Sequence, residues 1–245
     1  MNRNLAALLP CLLCAPAHFT GAAEARFTDR FDVDKADLAS VGTNRFFVLA
    51  PGFQQVLEGR DARKTTVLTI TVLPETKVVD GVETRVVEER ETVDGQIAEI
   101  SRNYFAICRR TTDVFYFGED VDINRGGKIR SHEGAWLSGV AGARFGLLLP
   151  GTPLLGARYQ QEVAPKVAMD RAEIASLTEE IKVPAGTYKN CLKTKESSAL
   201  ESGTGEKLYA PGVGLLKDAE FDLAKVEMIS EPKGGKAADG APVKE

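Results

Sequence analysis

The residues best placed to do chemistry in this sequence are oxygen ligands around one turn. Asp120, Asp122 and Asn124 alternate with Val121 and Ile123, so an extended chain points all three the same way, with Glu119 and Glu133 close by. Calcium takes several such hard oxygens at once. The pattern departs from an EF-hand loop, which has glycine directly after its third ligand and an acid at its last position, because here Arg125 follows Asn124. A solvated hairpin tip accounts for the same residues.

His132 beside Glu133 has the composition of a general base and its partner, but a lone histidine needs a nucleophile or a metal to act on. The sequence holds 2 histidines, and His18 falls in the leader described below, so H-E-x-x-H zinc chemistry is excluded. Glu162, Asp170 and Glu173 could supply the carboxylate pair of a glycoside hydrolase if strands bring two of them together. No G-x-S-x-G elbow, P-loop or dinucleotide fingerprint is present, and no cofactor is expected.

These residues sit in a chain whose first 25 positions read as a secretory leader. Arg3 supplies the positive start, Leu5 to Ala17 the apolar stretch, and Ala22-Ala23-Glu24-Ala25 the small residues around a cleavage site after Ala25 or, second, Ala23. The apolar run falls short of the roughly 20 residues of a membrane span and is broken by Pro10, Pro16 and His18. Cys11 and Cys14 raise lipidation as a rival, but neither follows a small residue. Export implies a periplasmic or extracellular protein. It leaves Cys108 and Cys191 in an oxidising compartment, where one disulfide closing a long loop would add roughly 4 kcal/mol. Two buried free thiols are the alternative.

The net charge of −4 is spread among both signs, without the basic stripe that nucleic acid requires. No later apolar run is long enough to span a bilayer. Period-two patterning dominates from Phe53 to Val121, as half-buried strands require. Thr65–Val72 reads as one strand, and Asp80-Gly81 and Asp94-Gly95 as hairpin turns linking Glu75–Val79, Val82–Val93 and Gln96–Arg109. An aromatic strand, Val114–Phe117, follows, then a return over Lys128–Ser131. Further strands are expected over Arg158–Val163, Val167–Leu177, Glu180–Val183, Thr187–Ser197, Lys207–Ala210 and Glu220–Ile229. A short helix is expected over Lys35–Val41 after Asp34. The fold expected is mostly β: one strongly curved antiparallel sheet or open barrel of about a dozen strands, with one or two short helices, over residues 26–231. A disordered tail is expected over 232–245.

Two motifs are familiar. Val183-Pro184-Ala185-Gly186-Thr187-Tyr188, followed by Tyr209-Ala210-Pro211-Gly212-Val213-Gly214-Leu215, resembles the C-terminal signature of a group of uncharacterised bacterial exported β-proteins. Tyr116–Val121, with Glu133–Trp136, is similar to the middle of the same group. The resemblance implies a β-rich exported protein and carries no activity with it. More distantly, the architecture is similar to the curved sheets of lipoprotein-carrier-like envelope proteins, which hold acyl chains in an apolar concavity. That likeness is one of fold level alone.

Such a sheet must fill its inner face with side chains, a helix or a ligand. The glycine- and leucine-rich segment Leu137–Gly156 could act as a flap over it, or as a buried connection closing one end. Phe115, Phe117, Trp136, Leu147 and Leu149 are the expected lining. The leading functional expectation is a non-enzymatic exported protein that holds a lipid, another hydrophobic or amphipathic small molecule, or a partner. A structural module with a filled core and a hydrolase using acidic residues are the alternatives.

Overall fold

The structure, a computed structural model, describes residues 26–61 and 64–230. The expected leader with Cys11 and Cys14, and the expected disordered tail, lie outside the described residues.

The chain is built almost entirely of strands. A three-residue 3-10 turn at Lys35–Asp37, capped by the Asp34 carboxylate accepting from the Ala36 N–H, is all that forms where a short helix is expected. Strands β1 (Leu38–Ala39), β2 (Gly42–Asn44) and β3 (Phe47–Leu49) precede the long meander of β4 (Phe53–Asp61), β5 (Lys64–Val79), β6 (Val82–Val93), β7 (Gln96–Cys108) and β8 (Val114–Arg125). Short strands β9 (Lys128–Ser131) and β10 (Trp136–Leu137) follow, then β11 (Arg144–Leu149), β12 (Arg158–Gln160) and β13 (Glu162–Val163). The chain ends in β14 (Asp170–Val183), β15 (Gly186–Ser198), β16 (Gly205–Ala210), β17 (Gly214–Asp218) and β18 (Phe221–Met228).

Both Asp-Gly pairs make the expected turns, with φ of 50° and 76° at Asp80-Gly81 and 50° and 77° at Asp94-Gly95. The two strands expected before the first turn merge into β5, whose ladder with β6 slips between Val72 and Thr76. Pro74 lies inside that slip, as a residue with no N–H to give the ladder must.

One antiparallel sheet runs in the order β12-β14-β15-β16-β17-β18-β4-β5-β6-β7-β8-β11-β13. Its two edge strands, β12 and β13, are consecutive in the chain and separated only by Gln161, so the sheet comes round on itself into a barrel. Gln161 N–H donates to the Asp170 carbonyl at 2.8 Å across the seam. The seam also needs Gly146 on β11, where a Cβ would stand 2.4 Å from the backbone of Gln161. The segment expected as a flap thus has at its centre the strand that carries one side of the closure, with Leu154 and Leu155 exposed on the loop after it.

Pairing registers decide which side chains share a face. Val87 and Glu89 on β6 stand opposite Asn103 and Ser101 on β7, and Phe105 opposite Tyr116 on β8. Lys207 on β16 stands opposite Thr194 on β15 and Asp218 on β17. Strand β6 lies five strands from β16 along the sheet, about 24 Å at normal strand spacing. Glu89 nonetheless borders one cavity with Asp218, the register partner of Lys207, so theirs is the enclosed face and they look at one another across the barrel.

One end of the barrel is plugged. The β2–β3 hairpin lies against the enclosed face of β7, with Phe47 edge-on to Phe105 at 5.2 Å between centroids. Gly42 fits so closely that a Cβ there would be 2.7 Å from Ile107. At its tip Phe46 is 1% exposed. Asn44 ties the hairpin to the rim, donating to the carbonyls of Thr112 and Pro150 at 2.9 and 3.0 Å, and the Arg45 carbonyl accepts from Gly212 N–H. Tyr116 stacks on Phe105 and meets Trp136 edge-on, completing an apolar filling of this half.

The expected disulfide does not form. Cys108 and Cys191 are both free and buried in separate clusters, the first with Leu38, Ala106 and Phe115, the second with Leu57, Val183 and Leu208. The Cys191 thiol is pushed up by burial, whereas Cys108, although also buried, receives hydrogen bonds from Thr111 and Arg110 that hold its thiol below the usual range.

Candidate functional site

The half of the barrel away from the plug is polar. Glu89, Glu99 and Glu119 project from β6, β7 and β8, Glu162 comes from β13 at the seam, and Glu196 and Asp218 come from β15 and β17. The cation facing them is Lys207, 3.4 Å from Glu196 and 3.3 Å from Asp218. Its side chain keeps 33% of its surface open although it lies among opposed strands, as in a lumen that water enters.

Enclosing like charges has a measurable consequence. Burial, with the charges of Glu89 and Glu99, pushes the Glu119 carboxyl up to about 8, against a hydrogen bond from Tyr116 that lowers it. Burial and the neighbouring Asp170 push Glu162 up to about 8 as well. Glu89 is raised mainly by burial, with Lys207 opposing, and Glu91 and Glu99 are raised by burial and by nearby acids. Lys207 is raised too, which for an amine means that Glu196 holds it charged against the effect of its burial. Near neutral pH, Glu119 and Glu162 are therefore substantially protonated, able to donate a hydrogen bond and to lose that proton to an arriving positive charge.

The lumen opens at the turns β6–β7 and β17–β18 into a cavity of about 280 Å³ bordered by Glu89, Glu91, Glu99, Ser101, Asp218 and Phe221. A shallower cavity of about 390 Å³ lies beside the β15–β16 loop, with Asp170, Glu196 and Glu201 on its walls. One donor on the enclosed face is also unused: the indole N–H of Trp136, a residue 3% exposed and paired in register with Glu119, has no acceptor. Buried N–H groups are rarely left so.

The residues singled out from the sequence are distributed over both faces. Trp136 shares the enclosed face with Tyr116, while Phe115 and Phe117 alternate with Tyr116 and pack outside the barrel on Phe145. Leu147 stands opposite Phe115 and Leu149 opposite Val114; both leucines are buried. Asp120 and Asp122 point outward, and each already faces a cation, Lys77 at 3.0 Å and Arg102 at 3.2 Å. Asn124 donates to the Asp122 carbonyl. Among the described residues no group of three or more potential ligands is gathered to hold a metal ion. His132 braces the same strand, with Nδ1 2.7 Å from the Val121 carbonyl and 3.1 Å from Asp122. Of the proposed carboxylates, Glu162 and Asp170 meet, Glu162 accepting from the Asp170 N–H at 2.9 Å, whereas Glu173 pairs with Arg158 at 2.7 Å.

Sequence reasoning missed Glu89, Glu99, Glu119, Glu196, Lys207 and Asp218 as a set. One signal was present: Glu89 and Glu91 alternate in step with the apolar Val87, which places acids on the same face as a core residue.

No family model matches the chain, and no curated protein matches it. Among solved structures, a Parabacteroides distasonis protein described as a "putative lipoprotein" matches at 15% identity and a TM-score of 0.37, covering 76% of this chain and 100% of that one. Likeness at that level carries no argument about this chain.

Proposed function

We propose that this chain is an exported binding module of the cell envelope whose barrel takes a small, positively charged, hydrogen-bonding ligand at its open acidic end. The observation that supports the reading most is the confrontation of Glu89, Glu99, Glu119, Glu162, Glu196 and Asp218 with Lys207 on the enclosed face. Enclosed carboxyls that repel one another work against folding, and groups displaced so far from their ordinary pKa concentrate at functional sites. A cation entering the lumen would relieve that repulsion. The unused Trp136 N–H adds a donor for a ligand oxygen. Export rests on the leader residues, Arg3, the apolar run and Ala22–Ala25. The apolar half of the lumen is filled by Phe46, Phe47, Phe105, Tyr116 and Trp136, so an oily ligand has its place elsewhere on the molecule.

Spermidine is a suitable probe, with glucose as the uncharged comparison, and thermal melting and titration calorimetry as readouts. Spermidine is expected to raise the melting temperature of the wild type and of D29N, whose carboxylate lies outside the barrel beside Arg144. The effect should vanish in the double variant E89Q/E99Q. Equal shifts in all three proteins, or none in the wild type, would dismiss the reading.

A further inference from the structure

A third cavity, of about 240 Å³, lies outside the barrel wall between the N-terminal segment and the β7–β8 turn. It is independent of the acidic lumen. Its floor is apolar: Phe31 and Val33 come from the N-terminal segment, Phe115 from β8 and Leu147 from β11, with the Cys108 thiol at the end of β7. Phe31 and Phe115 meet edge-on at 5.8 Å, which fixes the two walls relative to one another. At about 30 Å³ per water, the space takes roughly eight water-sized heavy atoms.

The rim carries charges, and most are already engaged. Arg110 pairs with Asp37 at 2.7 Å. Asp113 accepts from Gly151 N–H through one oxygen and from the Thr111 hydroxyl through the other. Arg30 and Asp32 border the same cavity, are exposed, and have no ion-pair or hydrogen-bond partner among the described residues. One free positive and one free negative group over an apolar floor complement a molecule with a carboxylate, an ammonium and an aliphatic body.

We propose that this cavity binds an apolar α-amino acid of about the size of leucine, its carboxylate on Arg30, its ammonium on Asp32 and its side chain against Phe31, Val33, Phe115 and Leu147. A fatty acid is a poorer fit, because the cavity is short and Asp32 repels a second negative group.

Cys108 makes the site self-reporting. Alkylation of the native protein with N-ethylmaleimide, followed by peptide mass analysis, gives separate rates for Cys108 and Cys191, and only the first borders the cavity. Saturating L-leucine should slow Cys108 at least several-fold and leave Cys191 unchanged. 4-Methylpentanoate, which lacks the ammonium, and 3-methylbutylamine, which lacks the carboxylate, should protect much less. R30Q and D32N should each lose protection while melting as the wild type does. Titration calorimetry with L-leucine supplies the same answer if Cys108 proves too slow to alkylate. Absence of both heat and protection overturns the proposal. Undiminished protection in R30Q and D32N overturns the amino-acid assignment, as does equal protection by 4-methylpentanoate.

Discussion

Replacing Glu162 with Gln tests whether the lumen stores electrostatic repulsion. Glu162 is 4% exposed, and its carboxyl is raised from 4.5 to about 8 by burial and by Asp170. The folded protein therefore keeps this proton over a range of pH in which the unfolded chain has lost it. Stability contributed by the group is complete below pH 4.5, falls as the pH rises, and is gone above about 8. The slope is about 1.4 kcal/mol per pH unit for one proton, and the whole loss is about 5 kcal/mol at most. Coupling to Glu119 spreads part of this over both carboxyls. Glutamine keeps the oxygen that accepts from the Asp170 N–H and cannot ionise. Urea unfolding followed through the single tryptophan, from about pH 5.5 to about pH 8.5, should show a falling wild-type stability and a distinctly flatter line for E162Q, with the variant more stable at the alkaline end. The half-buried control E173Q, on the outer face, removes the partner of Arg158 and should keep the wild-type slope. Parallel lines for wild type and E162Q would refute the account of a strained acidic lumen.

Gly146→Ala should destabilise by about 2–3 kcal/mol in urea unfolding, because the new methyl meets the Gln161 backbone across the seam; a neutral result would show that the seam yields. Phe46→Ala should cost about 3–5 kcal/mol by removing the tip of the plug, and an unchanged midpoint would mean that the hairpin contributes little to stability. Spermidine affinity should strengthen as the pH rises through about 8 and Glu119 and Glu162 ionise; a pH-independent affinity measured by calorimetry would separate ligand binding from these carboxyls. Unreduced protein, unfolded in urea, should accept one alkyl group at each of Cys108 and Cys191, and a linked peptide pair would contradict the separate burial of the two thiols.

Local features were legible in the sequence because local chemistry fixes them. Asp80-Gly81 and Asp94-Gly95 turn the chain whatever surrounds them, and the strands between them alternate plainly. The 3-10 turn after Asp34 was readable as a cap but not as a length, since three residues suffice to satisfy one capping bond. Closure was not readable. It depends on Gln161 dividing one short segment between two strands that lie at opposite edges of the sheet, and no property of Gln161 or Gly146 announces that role. The disulfide expectation failed for a similar reason: compartment and count argue for pairing, but only the fold assigns Cys108 and Cys191 to different clusters. The acidic lumen needed closure first. Glu89 and Lys207 are far apart along the sheet, and only the barrel turns them toward each other.

The plug and the acidic end are two answers to one constraint. A barrel of this many strands encloses more space than its inward side chains can fill. At one end the chain returns its own β2–β3 hairpin into that space, where Phe47 and Leu49 complete a packed core with Phe105 and Tyr116 and Phe46 joins the cluster of Tyr159, Leu192 and Tyr209. At the other end no segment among the described residues returns, and the strands instead turn carboxyls inward around Lys207. Filling that end with leucine and valine would have stabilised the fold, as core burial does at about 25 cal/mol per Å². Keeping it acidic and open to water forgoes that stability and adds repulsion, a combination that fits the binding site proposed above. The filled half then has a definite task. On the proposed reading, it braces the β6–β7–β8 ladders that carry Glu89, Glu99 and Glu119, so that a cation would meet a preformed site.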